Sequence, residues 1–140
     1  MRTPPAATVG TRPAPRTIGP VSQTDIVRFA GAGGDFNPLH HDPAYALAAG
    51  FDRPIAMGQM TAGLLAAWLT DWCGVENLRS YSVRFRSPLA IGDTLELSGE
   101  VVSVRRVDAG TFVAELELRG TCADTVVVTG SATVSVRAAE

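Results

Sequence analysis

The feature that most restricts the fold of this chain is a change of hydrophobic period halfway along it. From Gly58 to about Trp72 the residues are apolar nearly all round, with Met60, Leu64, Leu65, Trp68 and Leu69, and no charge before Asp71. A helix with no polar face to give to water is a buried helix. Beyond it the alternation of half-buried strands takes over. Tyr81, Val83 and Phe85 alternate with Ser82, Arg84 and Arg86, and Phe112, Ala114, Leu116 and Leu118 alternate with Val113, Glu115, Glu117 and Arg119. Leu95-Glu96-Leu97 opens a strand running to about Val107, and the last strand is Val126 to Val136. Ile91-Gly92-Asp93-Thr94 and Asp108-Ala109-Gly110 read as turns between them. One buried helix followed by an antiparallel meander is an α+β arrangement, with the sheet wrapped on the helix.

That arrangement is a single hot-dog fold, an antiparallel sheet around a central buried helix. The 140 residues suit one domain with a sizeable core, and no internal repeat divides them. Residues 17–140 are expected to form that domain. Met1 to Arg16, rich in Pro, Ala and Arg, reads as a disordered tail without the apolar stretch of a signal peptide. A formal net charge of -2 argues against a nucleic-acid partner. No apolar run approaches the roughly 20 residues needed to span a bilayer. Cys73 and Cys122 stand far apart, outside any CxxC pattern, and are expected as two buried thiols in a reducing cytoplasm.

The first half holds shorter elements. Thr17 to Val21 is expected as a short strand. Ser22 with Asp25 forms a capping-box-like start to a helix whose apolar face is Ile26, Val27, Phe29 and Ala30. Gly31, Gly33 and Gly34 are expected to end it. Asp35-Phe36-Asn37-Pro38 then reads as a turn, because Asn before Pro disfavours helix and Asp bonds its local backbone. A second short helix starts near Pro43 and runs to Gly50, and Phe51 to Met57 is a loop broken by Pro54.

The chemistry-bearing residues gather in Phe29 to Ala46, FAGAGGDFNPLHHDPAYA. This stretch offers two carboxylates (Asp35, Asp42), the chain's only imidazoles (His40, His41) and an amide (Asn37). Groups able to move protons near neutral pH are thus concentrated in one loop. Asp35 and His40 lie five residues apart across a turn stiffened by Pro38. Hydrating a double bond conjugated to a thioester needs a base for water, an acid for the α-carbon, and donors for the enolate-like oxygen. A carboxylate and an imidazole flanking one water supply the first two. Two other readings of the fragment stand beside this one: ordinary turn chemistry for Asp-x-Asn-Pro, and a metal site from Asp35, His40, His41 and Asp42. Adjacent ligands such as His40-His41-Asp42 rarely point at one ion, so no metal is expected.

Gly34-Asp35-Phe36-Asn37-Pro38-Leu39-His40, with an aromatic before it and the small Ala46 after it, resembles the signature of the MaoC-like and (R)-specific enoyl-CoA hydratases. The order of elements from Ser22 to Val136 is similar to theirs as well. The resemblance implies a hot-dog dimer in which Asp35 and His40 hold the attacking water and Asn37 supports the loop. The product would be an (R)-3-hydroxyacyl thioester carried on coenzyme A or acyl carrier protein, with no cofactor. The family's glycine at the start of the central helix, whose N–H faces the thioester carbonyl, corresponds to Gly58, a role that suits a helix N-terminus. A close-packing role is the alternative for Gly58. Two positions depart from many relatives: Met57 stands where they have histidine, and Ala66 where some have serine. The substrate preference left open by these departures bears on Met57, Ala62 and Ala66, which either line an acyl tunnel or pack the helix on the sheet.

The alternatives to a hydratase are a hot-dog acyl thioesterase, and a subunit of a heteromeric MaoC-like hydratase. A thioesterase commonly uses a carboxylate on or near the central helix, and Gly58-Gln59-Met60-Thr61 has none. An exposed sheet edge leads us to expect a homodimer or a heteromer with a similar chain. Trp68 and Trp72 read as core. Arg84 and Arg86 read as a solvated face, with contact to coenzyme A phosphates as the alternative.

Overall fold

The structure, a computed structural model, describes residues 1–139. Its elements are β1 (Ala6–Ala7), β2 (Arg16–Ile18), α1 (Gln23–Gly33), α2 (Pro43–Ala48), α3 (Gly58–Cys73), β3 (Leu78–Phe85), β4 (Leu95–Asp108), β5 (Thr111–Cys122) and β6 (Thr125–Ala138), with single 3-10 turns at Pro38–His40 and Val75–Asn77. Strands β2, β4, β5, β6 and β3 lie side by side in that order, all antiparallel, and β1 runs parallel to the end of β6. The sheet turns its apolar face, including Leu97, Val101, Leu116, Leu118, Val128 and Val134, onto Leu65, Trp68 and Leu69 of α3. This is the hot-dog architecture expected from the change of period.

The central helix is less buried than its composition suggests. Gly63 and Ala67 face outward, while Met60, Thr61, Ala62, Leu65, Trp68, Leu69 and Cys73 are buried. Small side chains on the outer face make the helix read as apolar all round, although they have little surface to hide.

The first sixteen residues do not form the disordered tail expected of them. They lie as a strap along the outer edge of β4 and the C-terminal half of α3. The Gly10 N–H donates to the Val101 carbonyl at 2.8 Å, and the Val101 N–H donates to the Thr11 carbonyl at 2.9 Å. The buried Trp68 indole needs an acceptor for its N–H, and Nε1 donates to the Ala14 carbonyl at 2.8 Å. Ala7 and Pro13 are the buried residues of the strap, and Arg16 pairs with Asp71 at 2.8 Å. The physical reason is backbone satisfaction: the strap supplies partners to the β4 edge that β2, with three residues, does not reach.

Three smaller expectations change too. Gly31 and Gly33 lie inside α1, and only Gly34, at φ 70°, ends the helix in the left-handed conformation. Phe85 is 51% exposed instead of inward-facing, its ring lying over Gly58. Both cysteines are free, but only Cys73 is fully buried and Cys122 is half-buried. Burial pushes the Cys73 thiol above its ordinary pKa. Among the described residues, no helix is long and apolar enough to cross a membrane.

Candidate active site

The site is built where α1 gives way to the 3-10 turn. The capping box forms at the start of α1: the Asp25 N–H donates to Ser22 Oγ at 3.1 Å, and the Ser22 N–H donates to Asp25 Oδ2 at 2.9 Å. The Ser22 backbone N–H foremost, and then the Ser22 hydroxyl, hold the Asp25 carboxyl below the usual carboxylate range. At the far end Gly34 reverses the chain, and the Asp35 N–H donates to the Ala30 carbonyl at 3.1 Å. Asn37 caps the next turn, its Oδ1 accepting from the Leu39 N–H at 3.0 Å, while its own N–H donates to Asp35 Oδ1 at 3.3 Å. Loop geometry and the orientation of Asp35 are therefore set by one amide and one glycine.

The turn drives His40 inward, to 8% exposure. Its Nδ1 lies 2.7 Å from the Ile55 carbonyl. A carbonyl only accepts, so Nδ1 carries the hydrogen, and Nε2 is the nitrogen left for chemistry. That Nε2 is 3.3 Å from Asp35 Oδ2, on a carboxylate about half exposed. When the imidazole is neutral, both facing atoms are acceptors. A water donating one hydrogen to each then satisfies both and presents its oxygen lone pairs outward. Gln23 Nε2 donates to the His40 carbonyl at 2.9 Å, and the Ile55 N–H donates to the Leu39 carbonyl at 3.1 Å. The dyad is thereby tied to α1 on one side and to the loop entering α3 on the other.

That loop ends at Gly58, the first residue of α3, where Met57 is the N-cap without a side-chain capping bond. The first-turn N–H groups of a helix have no partner within it and carry partial positive charge. A Cβ on Gly58 would come within 3.1 Å of the Phe85 ring, so close packing also favours glycine here. Met57, Gly58, Thr61 and Phe85 border a cavity of about 360 Å3. Met57 itself is 4% exposed.

The other residues singled out in the sequence lie apart from the dyad. Asp42 caps α2, its Oδ1 accepting from the N–H groups of Ala44 and Tyr45 at 3.0 and 3.2 Å, and His41 is exposed. Among the described residues no three His, Cys, Asp or Glu side chains gather as a metal site. Ala62 is buried against β3, its carbonyl accepting from the Tyr81 hydroxyl at 2.6 Å, and Ala66 is half-buried. Arg84 and Arg86 are exposed, and Arg86 Nε donates to Thr129 Oγ1 at 3.2 Å. A larger opening of about 720 Å3 lies between α1, α3 and the segment after β2, a feature that sequence reasoning missed. The signal on α3 was present in the helical spacing of Met60, Gly63 and Leu64.

A family model described as the MaoC like domain matches residues 4–119. The (R)-specific enoyl-CoA hydratase of Rhodospirillum rubrum is 37% identical over 122 residues, 84% of this chain and 81% of that one. The (R)-specific enoyl-CoA hydratase of Aeromonas caviae is 34% identical over 83 residues, and the aligned stretch spans 58% of this chain and 62% of that protein. The crystallised (R)-hydratase of Aeromonas caviae, involved in PHA biosynthesis, superposes with a TM-score of 0.79 at 29% identity, covering 93% of this chain and 97% of that one. The ChsH1-ChsH2 complex from Mycobacterium tuberculosis gives a TM-score of 0.79 at 28% identity, covering 93% and 98%. The chain belongs to the MaoC-like family, the hot-dog hydratases of the hydratase-2 type. Its Asp35–His40 pair stands as the dyad of the (R)-hydratases does.

Proposed function

We propose that the chain is a lyase that reversibly hydrates trans-2-enoyl thioesters to (R)-3-hydroxyacyl thioesters. The observation that carries this reading is His40 Nε2 at 3.3 Å from Asp35 Oδ2, with Nδ1 held by the Ile55 carbonyl. In the forward direction the dyad takes one proton from water as its oxygen bonds to C3 of the substrate. The C2–C3 π pair moves onto the thioester as an enolate-like charge, and the Gly58 N–H donates to that oxygen. A proton returned from the dyad to C2 collapses the charge, so the pair ends as it began. Asn37 supports the loop, Met57 borders the thioester end, and Ala62 packs the flank of α3 toward β3. Relatives named as (R)-specific enoyl-CoA hydratases support both the substrate class and the stereochemistry.

The acyl carrier is coenzyme A or acyl carrier protein. Among the described residues β3 pairs on one side only, with β6. A second copy of the chain, or a similar hot-dog subunit, covers its free edge. Free thiols suit a reducing cytoplasm.

The test is loss of the enoyl-thioester absorbance with crotonyl-CoA, a medium-chain enoyl-CoA and a polycyclic enoyl-CoA. At least one is hydrated by the wild-type chain, and His40→Ala lowers kcat by about 10²–10⁴-fold while the circular dichroism spectrum is retained. Near-normal turnover by His40→Ala would remove the mechanism.

A further inference from the structure

Two segments hold His40, and both are tied to one turn. The Ile55 carbonyl accepts from Nδ1 at 2.7 Å, and Gln23, at the start of α1, donates to the His40 carbonyl at 2.9 Å. The turn is residues 90–93, between β3 and β4. Toward the first segment, Ile55 pairs with Ala90 as an isolated antiparallel bridge. The Ala56 N–H donates to the Leu89 carbonyl at 2.7 Å, and the Ile91 N–H to the Pro54 carbonyl at 2.9 Å. Toward the second, the Gly92 N–H donates to the Val21 carbonyl at 2.7 Å, and the Val21 N–H to the Asp93 carbonyl at 2.9 Å, just ahead of the Ser22 cap of α1.

Two side chains lock the turn onto the loop. Asp93 Oδ2 accepts from the Ala90 N–H at 2.9 Å, and Asp93 Oδ1 accepts from Arg53 Nη2 at 3.1 Å. Arg53 Nη1 donates to the Ile91 carbonyl at 2.7 Å. A planar, rigid fork thus fixes the loop at two points, close before Ile55 in the chain. The Arg53 side chain is about half exposed, and an ion pair so open to water adds little to stability. Its consequence lies in what it holds.

A neutral imidazole carries one hydrogen, and at His40 two acceptors compete for it. The Ile55 carbonyl lies 2.7 Å from Nδ1, and the Asp35 carboxylate lies 3.3 Å from Nε2. A carboxylate is intrinsically the stronger acceptor, so the carbonyl wins through its shorter distance. If the carbonyl withdraws, the hydrogen passes to Nε2 and bonds Asp35, and Nε2 no longer accepts from water. We propose that Arg53 and Asp93 are positioning residues of the dyad, which fix the Ile55 carbonyl and so keep the His40 hydrogen on Nδ1. The kinetic consequence rests on the hydratase reading, whereas the tautomeric one rests on the geometry alone.

The experiment compares the full wild-type chain with Arg53→Ala, Arg53→Lys and Asp93→Asn. Arg12→Ala, which removes the 3.1 Å ion pair to Glu100 on the strap, is the control. Long-range nitrogen–proton NMR correlations, recorded above the imidazole titration, tell which ring nitrogen carries the hydrogen, with only two histidines to assign. Wild type and Arg12→Ala show it on Nδ1 of His40. Arg53→Ala and Asp93→Asn shift it wholly or partly to Nε2, and Arg53→Lys, which retains one donor contact, lies between. On whichever enoyl-CoA wild type turns over, kcat falls about 10–100-fold in the same order with KM within about twofold, since a displacement of about 1 Å costs about 10²-fold. A hydrogen that stays on Nδ1 in both Arg53→Ala and Asp93→Asn overturns the proposal, whatever happens to kcat. So does a shifted hydrogen with unaltered kcat. A lowered urea midpoint with tautomer and kcat both kept leaves the pair a structural role only, which also overturns it. Should Arg53→Ala fail to fold, Arg53→Lys and Asp93→Asn decide. If wild type turns over no enoyl-CoA, the hydratase reading fails separately, and the tautomer alone decides the positioning role.

Discussion

Along α3, the stretch from Met57 to Leu64 and the stretch from Trp68 to Cys73 have opposite surroundings. The first follows the loop whose Ile55 carbonyl holds His40, begins with an uncapped helix N-terminus and borders open space. The second is held by the strap, with the Trp68 indole 3% exposed and its N–H bonded to Ala14. Two glycines mark the contrast. Gly99, under the covered half, lacks a side chain because the Trp68 ring and the Glu117 carbonyl occupy its place at 3.1 and 3.0 Å. Gly63, beside the open half, lacks one although nothing occupies its place. One half of the helix is thus packed for stability, and the other begins with unpaired donors and borders unfilled volume.

Trp68→Ala tests the covered half and carries the largest expected change in stability. It removes a buried aromatic and leaves the Ala14 carbonyl without its donor, for a loss of about 3–5 kcal/mol read from the urea midpoint. At low temperature, where the variant remains folded, turnover of crotonyl-CoA stays within a few-fold of wild type, roughly 1 kcal/mol or less in barrier. A large loss of turnover without a loss of stability would abolish the division between the halves.

The division was only partly legible in the sequence. The buried helix, the meander, the capping box at Ser22 and Asp25, and the proton-moving loop all follow from patterns within a few residues of one another. The strap does not. Pro, Ala and Arg before residue 17 have the composition of a disordered segment, and their partners, Trp68 and Val101, lie far along the chain. Local signals carry no information about a β4 edge needing N–H and C=O partners. The opening between α1 and α3 is a similar case: Met60, Gly63 and Leu64 share a helical face, but the facing wall of Phe29 and Ala32 exists only once α1 has docked. Phe85 was misassigned because alternation alone does not reveal that its strand ends there, beside Gly58.

Tyr81 holds the flank of α3 against β3 and offers a pH-dependent way to sharpen the comparison. Its hydroxyl donates to the Ala62 carbonyl, and burial, which disfavours the charged phenolate, pushes its phenol up from 10.0 to about 12. A raised folded-state pKa means that the stabilisation is complete below the unfolded value and is lost as pH rises through the folded one. The urea midpoint accordingly falls between pH 10 and 12. Tyr81→Phe lowers stability at neutral pH by about 0.5–1.5 kcal/mol and removes this part of the alkaline loss. An identical alkaline profile in the variant would detach Tyr81 from that effect.

The smallest expected effect has the opposite sign. Gly63→Ala adds a methyl group in space that no atom within 4 Å occupies, on a helix interior with ordinary φ. Alanine loses less backbone entropy on folding than glycine, so the substitution raises stability by about 0.5–1 kcal/mol. Gly99→Ala, measured in the same denaturation series, lowers it, because the Trp68 ring and the Glu117 backbone must both shift. Destabilisation by Gly63→Ala would mean that the space beside the open half is already filled.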